Sequence, residues 1–285
     1  MFAIIGIVVV IGSIISGYLL EHGNLSVLIQ PAELIIIGGA ALGSLIVTCP
    51  PSILSDIVKK IPTVFKGSAY DKKAYLELLN LLYDIFVKIR KEGVLHIESD
   101  IEAPDKSELF KKYPSVLSNH HALKFLCDNL RVYIVGVKPS DLEDMMDVEL
   151  ETHHAEAETS PSIITKVGDS LPGFGIVAAV LGVVITMGKM DESPEVIGHS
   201  VAAALVGTFL GILLCYGIVG PIGSHLELKA KEESKYLEVI KCSILAFAKE
   251  VPPQMAVEYG RRVLYSDTKP SFKELEEKVR KKKAA

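Results

Sequence analysis

Apolar residues along this chain gather in four long runs, and nearly all of the charge lies in the stretches between them. An α-helix needs about 20 apolar residues to cross the hydrocarbon core of a bilayer. The pattern therefore predicts an all-α, polytopic membrane protein with four transmembrane helices. We place these helices at residues 1–20, 33–51, 170–189 and 199–222. The first run has no basic flank and no clear cleavage motif, which favours a retained span over a signal peptide.

The charged stretches predict two further helical parts, a large domain at 52–168 and a tail at 223–285. In the domain, apolar residues recur at helical spacing from Leu76 to Ile89, and Gly93 is expected to end that helix. In the tail, helices are expected on both sides of the Val-Pro-Pro break at 251–253.

Basic residues are distributed unevenly between the two sides of the predicted spans. The turns after the first and third spans contain only one basic residue, Lys189. The opposite side carries Lys59, Lys60, Lys66, Lys166, Lys229, Lys231 and Lys235. Because short cytoplasmic segments are enriched in Lys and Arg, both termini and the 52–168 domain are predicted to be cytoplasmic.

Composition removes several function classes for this chain of 285 residues. Its mean hydropathy is +0.36 with 49% hydrophobic residues, which excludes disorder, and the net charge of −5 gives no reason to expect nucleic-acid binding. The four cysteines form no CxxC pair, so neither a disulfide framework nor a zinc site is predicted. Nucleotide-binding and nucleophile-elbow motifs are absent as well. We expect no enzyme, no cofactor and no metal; His153 and His154 lie in an acidic stretch that is typical of a solvated helix face.

The cores of the four predicted spans contain no Asp, Glu, Lys or Arg. A proton relay needs a group that titrates, and ionisable residues within spans usually mark ion paths. Either this chain moves no ions, or a partner chain supplies the carboxylate.

Small residues recur at four-residue spacing within the spans, which allows helix backbones to approach closely. They are Gly39 and Gly43 in the second span, Gly182 in the third, and Gly207 and Gly211 in the fourth. Packing within one subunit and packing against another chain both remain open. The stripe on the fourth span, beside Thr208, suits a helix that faces another chain.

Two prolines are expected at span ends. Pro172 is expected in the first turn of the third span, where proline is tolerated. Pro221 lies near the cytoplasmic end of the fourth span, within a helix that is expected to continue into the tail. A simple kink and a hinge are both open interpretations of Pro221.

Three segments resemble one protein family. The segments are DSLPGFGIVAAVLG at 169–182, VGTFLGI at 206–212 and PPQMAVEYGRRVLY at 252–265. They resemble the span signatures and the tail of the MotA family of flagellar stator subunits, within the wider MotA/TolQ/ExbB proton-channel superfamily. The match covers the whole chain, including the order of the spans and the large segment between the second and third.

The resemblance implies a role in the bacterial inner membrane. It implies a homo-oligomeric ring in the lipid bilayer, usually of five subunits, around a MotB-like single-span partner that carries the ion-binding Asp. Ion flow would drive rotation and torque on the rotor protein FliG. Torque residues would be Arg90, Glu98 and Glu149.

Further residue roles follow from the same resemblance. Thr208 would line the ion path, and Pro172 and Pro221 would couple ion flow to movement. Sodium-type relatives typically carry Thr where this chain has Ala179, so the resemblance implies proton drive. The alternatives are a sodium-driven stator, an ExbB/TolQ-type energiser of an envelope process, or a non-conducting membrane scaffold.

Overall fold

A computed structural model describes residues 2–276, and these residues form helices joined by short turns, with no β-strand among them. Several of the α-helices are only one or two turns long, and residues 272–276 begin a further helical segment after those named below. In chain order they are α1 (Phe2–Leu20), α2 (Leu25–Leu28), α3 (Pro31–Thr48), α4 (Pro51–Lys60), α5 (Lys72–Glu92), α6 (Glu98–Glu102), α7 (Pro114–Leu117), α8 (His120–Val135), α9 (Pro139–Met187), α10 (Pro194–Leu214), α11 (Gly220–Ala248) and α12 (Pro253–Arg262).

The four predicted spans all appear as long apolar helices. Those long and apolar enough to cross a membrane are α1, the segment Leu25–Thr48, α9, and the segment Pro194–Ala248. The chain divides into two compact units, one of residues 1–67 and 156–228, the other of residues 68–155 and 229–285. The first contains the spans, and α9 and α11 each contribute residues to both.

The first unit extends beyond the boundary that hydropathy predicts at residue 52. Residues 52–67 and 156–168 group with the spans rather than with the rest of the predicted 52–168 domain. The reason is apolar packing, because Ile57 of α4 and the nearby Val64 are buried in one cluster with Ile164. The Ser160 hydroxyl also donates a hydrogen bond of 2.5 Å to Asp56.

The helix of the second span begins and ends earlier than predicted. It starts at Pro31. Proline is favoured at the first helical position because it has no N–H group that would need a hydrogen-bond acceptor. The helix ends at Thr48 instead of residue 51. Cys49 is extended because a residue before proline is disfavoured in the α conformation, and Pro50 follows it.

Pro172 lies inside a helix, not in the first turn of one as predicted. The 49-residue α9 runs through both Pro161 and Pro172 without a break. Pro221 shows a different local response. A π-helical segment, Cys215–Val219, precedes it between α10 and α11, and the helix then continues to Ala248, as predicted. A wider turn relieves the clash of a proline ring with the preceding turn.

The second unit is built around a single apolar core. The predicted amphipathic helix is present as α5, and Gly93 ends it with φ of 95°, as expected. Its apolar face packs with α8, α12 and the second half of α11, and the rings of Phe86 and Phe247 stack at 4.3 Å. The predicted break after α11 is confirmed, since α12 begins at Pro253.

A buried ionic cluster fixes α12. The Glu258 carboxylate is 3% exposed and accepts hydrogen bonds from two nitrogens of Arg261, at 2.6 and 2.7 Å, and from Arg262 at 3.0 Å. Arg261 also donates to the carbonyl of Pro270 at 2.9 Å, which ties down the chain after the helix. The hydrogen bonds from Arg261, opposed by burial and reinforced by Arg262, lower the pKa of Glu258.

We expect Glu258→Gln to lower the free energy of unfolding by about 1–3 kcal/mol at neutral pH, because it weakens charge-assisted hydrogen bonds. Because folding lowers the pKa of Glu258, its ionised carboxylate stabilises the folded chain fully at pH values above the ordinary carboxyl pKa. This stabilisation is lost as the pH falls through the lowered pKa of the folded state. Thermal unfolding of the full chain in detergent across that range measures both effects. The exposed Glu92→Gln is the control, and equal acid sensitivity of wild type and Glu258→Gln would contradict the assignment.

Candidate functional site

The third and fourth spans approach so closely that their contact has no room for side chains. A Cβ placed on Gly211 of α10 would lie 2.6 Å from the carbonyl oxygen of Leu171 in α9. A Cβ on Gly175 of α9 would lie 2.7 Å from the carbonyl oxygen of Gly207 and 3.3 Å from the Cα of Thr208. The glycines are therefore required for backbone-to-backbone contact between α9 and α10.

The interpretation that the fourth-span stripe faces another chain is wrong for its glycines. Gly207 and Gly211 are buried against α9 of the same chain. Gly182 also packs within the chain, because a Cβ there would lie 2.6 Å from the Cβ of Ala204. The spacing of small residues in the sequence shows that one face of a helix allows close packing. It does not show which neighbouring helix packs against that face.

The pair Gly39 and Gly43 in α3 is different. A Cβ placed on either glycine would meet no non-local atom of the described residues within 4 Å, and both glycines are exposed. The predicted packing role of these two glycines therefore has no partner helix among residues 2–276. This thin face of α3 is open.

The remaining sequence-predicted membrane residues lie on α9, α10 and the start of α11. Thr208 and Ala179 are half-buried, and Pro172 is half-buried within α9. Pro221 is exposed and is the second residue of α11, two positions after the π-helical segment. Thr208 is the hydroxyl-bearing residue beside the Gly207 contact, since its Cα approaches Gly175.

Sequence analysis missed one buried carboxylate. Glu33, the third residue of α3, is 7% exposed, and its Oε2 atom has no hydrogen-bond partner in the described structure. A Cβ on Gly207 would lie 2.5 Å from that oxygen, so the carboxylate points into the small-residue notch of α10. Glu33 lies in the first turn of α3, so the second span has an ionisable residue near its end, although its core contains no Asp, Glu, Lys or Arg, as expected.

Two of the three predicted torque residues form a free charged surface in the second unit. Arg90, in the last turn of α5, and Glu98, at the start of α6, are both exposed. Within residues 2–276 neither takes part in an ion pair. Glu149 is only half-exposed and accepts a hydrogen bond of 2.9 Å from the buried Asn129, so it also holds α8 against α9.

The histidines of the acidic stretch are packed rather than solvated. His153 Nε2 lies 3.4 Å from Glu233 Oε1, and the ring of His121 meets His153 edge-on at 5.9 Å. One ligand atom from each of the three residues lies within 4.8 Å of the others. A contact that joins α8, α9 and α11 accounts for this cluster, and we assign no metal to it.

Comparison with known proteins assigns this arrangement to a family. Residues 4–93 match the family Motility protein A N-terminal, and residues 118–239 match the MotA/TolQ/ExbB proton channel family. Motility protein A of Salmonella typhimurium is 44% identical over 98% of this chain and 95% of its own length, and that of Escherichia coli is equally similar. The chemotaxis protein LafT of Vibrio parahaemolyticus is 36% identical over 95% of this chain and 96% of its own length.

The chain belongs to the motility protein A family. Solved structures agree with the fold. The flagellar MotAB stator complex of Bacillus subtilis matches with a TM-score of 0.73 and 25% identity over 90% of this chain and 92% of its own. MotAB of C. jejuni matches with a TM-score of 0.78 and 22% identity over 93% and 96%.

Membership in the motility protein A family fixes the general role. The chain is a multi-pass inner-membrane protein and a subunit of the flagellar stator, which works as a proton channel together with a MotB partner. The near full-length relatives are motility and chemotaxis proteins, so the matches give no support to an ExbB/TolQ-type energiser or an inert scaffold.

We expect Gly211→Ala to lower the melting temperature of this chain, although alanine normally favours a helix over glycine by about 1 kcal/mol. The added methyl group collides with the backbone of α9, and overpacking costs about 1–3 kcal/mol. Melting of the purified chain in detergent measures the effect. Gly198→Ala on the same helix is the control because its Cβ meets open space. Equal melting temperatures for the two variants would show that α9 and α10 do not pack this tightly.

Proposed function

We propose that this chain converts proton flow into torque on the rotor protein FliG, as a ring of five subunits around its MotB-like partner. The observation that carries the proposal is the combination of a glycine-lined contact beside Thr208 in the spans with unpaired, exposed charges at Arg90 and Glu98. The contact fixes the position of Thr208, which we propose lines the ion path, and the charges form a surface that can engage and release the rotor. Both termini and the second unit are proposed to be cytoplasmic, in line with the basic residues on that side.

Open faces of the spans support a ring. The thin face at Gly39 and Gly43 meets nothing in its own chain, and the apolar side chains of α1 are largely exposed. Lipid can cover branched apolar side chains, but paired glycines on one helix face are typical of contact with another helix. A second copy of this chain or the partner's span can supply that helix.

The lack of a side-chain oxygen at Ala179 supports a proton-driven rather than a sodium-driven stator. A metal cation gives up its hydration shell only where oxygen ligands replace it. Ala179 is half-buried in α9 and has no side-chain oxygen to offer. Thr208 on α10 lies beside the contact of α9 and α10, and its hydroxyl can donate a hydrogen bond to a carboxyl group of the partner or accept one from it.

Coupling is proposed to run through the two proline positions. Pro172 lacks the N–H group that would donate within α9, and Pro221 lies just after the π-helical segment Cys215–Val219. Both are places where a long helix can change its bend at low cost. Small changes in bend at these points would move the cytoplasmic ends of α9 and α11.

The charged surface is suited to repeated contact. Exposed ion pairs contribute only about 0–1 kcal/mol each, so a contact through Arg90 or Glu98 releases easily. We assign Glu149 a mixed role, because its hydrogen bond from Asn129 already occupies part of its carboxylate.

Rotation of tethered cells tests the proposed drive directly. We expect cells that lack their own stators to rotate in sodium-free medium when they express this chain with its cognate MotB-like partner, and to stop when the proton gradient is collapsed. Rotation only with added sodium would overturn the assignment of the ion. Absence of rotation in any medium, with the complex in the membrane, would overturn the motor function.

We expect Arg90→Glu to abolish or strongly reduce rotation while membrane insertion and proton flux stay at wild-type levels. The residue is exposed and unpaired within the described chain, so reversing its charge changes the surface without disturbing the core. The exposed Lys91→Glu, one residue away, is the matched control. Normal rotation of Arg90→Glu would exclude Arg90 from the torque surface.

A further inference from the structure

Glu33, in the first turn of α3, is enclosed by other residues of its own chain. The side chain is 7% exposed, and this burial needs no partner subunit. Its Oε2 atom has no hydrogen-bond donor among residues 2–276. An ionised carboxylate without a donor or a counter-charge is strongly disfavoured in an apolar environment. Such a group within a span marks a functional site.

The space for the carboxyl group is made by small residues on two other spans. A Cβ added at Gly207 would lie 2.5 Å from Oε2, and one added at Gly182 would lie 3.7 Å from Oε1. Ala178 and Ala204 complete the notch, since each lies within about 3 Å of one of these Cβ positions. Any side chain larger than glycine at position 207 would occupy the place of the carboxyl oxygen.

The neighbours of Glu33 favour a proton over a metal cation as its ligand. The side-chain atoms that define the notch on α9 and α10 are carbon atoms of alanine, and none of its residues titrates. A metal cation needs several oxygen ligands, whereas a single carboxyl group binds a proton unaided. The nearest ionisable residues along α9 and α10 are Lys189, Glu195 and His199, all exposed toward the outer ends of those helices.

The notch adjoins the proposed ion path. Gly207, which contacts the Glu33 carboxyl group, is followed directly by Thr208, whose backbone lies against Gly175 of α9. Two successive residues of α10 thus border the carboxyl group and the contact between α9 and α10. Glu33 belongs to the first turn of α3, so it lies nearer the outer face in the proposed orientation.

We propose that Glu33 is a proton-binding site of this chain in the outer half of the conducting path, in series with the carboxylate of the MotB-like partner. This inference rests on the proposed function. Glu33 takes up a proton from the outer side, holds it as a neutral carboxyl group in the notch of Gly182 and Gly207, and passes it toward Thr208. The chain therefore contributes a titrating group of its own.

Glu33→Gln tests the proposal because it keeps the shape of the side chain and removes the exchangeable proton site. We expect proton flux through the complex with its partner to fall at least about tenfold, since a positioned proton acceptor accelerates transfer by more than that. Glu195→Gln, an exposed carboxylate at the start of α10, is the matched control and should conduct as the wild type does. Co-purification with the partner verifies assembly of each variant.

Infrared spectroscopy of the purified complex gives a second readout that does not depend on conduction. The wild type should show a protonated-carboxyl band that Glu33→Gln lacks, while the band of the partner's carboxyl group remains in both. If Glu33→Gln fails to assemble, Glu33→Asp replaces it and should shift this band and its pH midpoint. Spectra identical to the wild type would then overturn the proposal.

The outcomes separate this inference from the proposed function. An assembled Glu33→Gln complex that conducts as well as the wild type overturns the role of Glu33 and leaves the channel function intact. A wild-type complex that carries no protons overturns the proposed function, and the infrared band alone then decides whether Glu33 binds a proton. We further expect Gly207→Ala to displace the carboxyl group and alter the same band, with Gly198→Ala as its control.

Discussion

The backbone contact between α9 and α10 is the constraint on which the membrane part depends. Gly175, Gly207 and Gly211 bring the two helices to a separation that admits no Cβ atom at these points. Lipid tails are as apolar as the side chains, so helices in a bilayer associate through such close packing rather than through hydrophobic burial. This contact also determines the positions of Thr208 and Glu33. Thr208 follows Gly207 in α10, and the carboxyl group of Glu33 lies against Gly207.

Hydropathy predicted the four spans correctly, since it measures how well a helix face matches lipid. It predicted helix boundaries less well. Proline residues account for one helix that ends before its predicted end and for another that extends beyond its predicted start. Pro50 ends α3 early, whereas α9 passes Pro172 although an internal proline costs about 3 kcal/mol. Breaking the helix at that depth would expose several backbone groups to an environment without water, which costs more than one lost hydrogen bond.

Candidate site residues were predictable to different degrees for physical reasons. The exposure of Arg90 and Glu98 agrees with the amphipathic pattern of the sequence, but their role in torque comes from family resemblance and stays a prediction. The direction of the Gly207 stripe was not predictable, because a thin helix face fits any close neighbour. Glu33 escaped notice because the second span was defined as a run without charge, and that definition placed the carboxylate at the boundary.

Two buried glutamates in this chain have different surroundings, and these surroundings favour different protonation states. Glu258 has Arg261 and Arg262 around it, so it remains ionised and fixes a helix. Glu33 meets the carbon atoms of a glycine notch and has no donor within the described residues, so its surroundings accommodate the neutral form. A group that holds a firm partner cannot exchange protons readily. A carboxyl group without a fixed donor is not held in its ionised form, which fits the proposed proton binding at Glu33, and the glycines that make the notch provide space for this group as well as for helix packing.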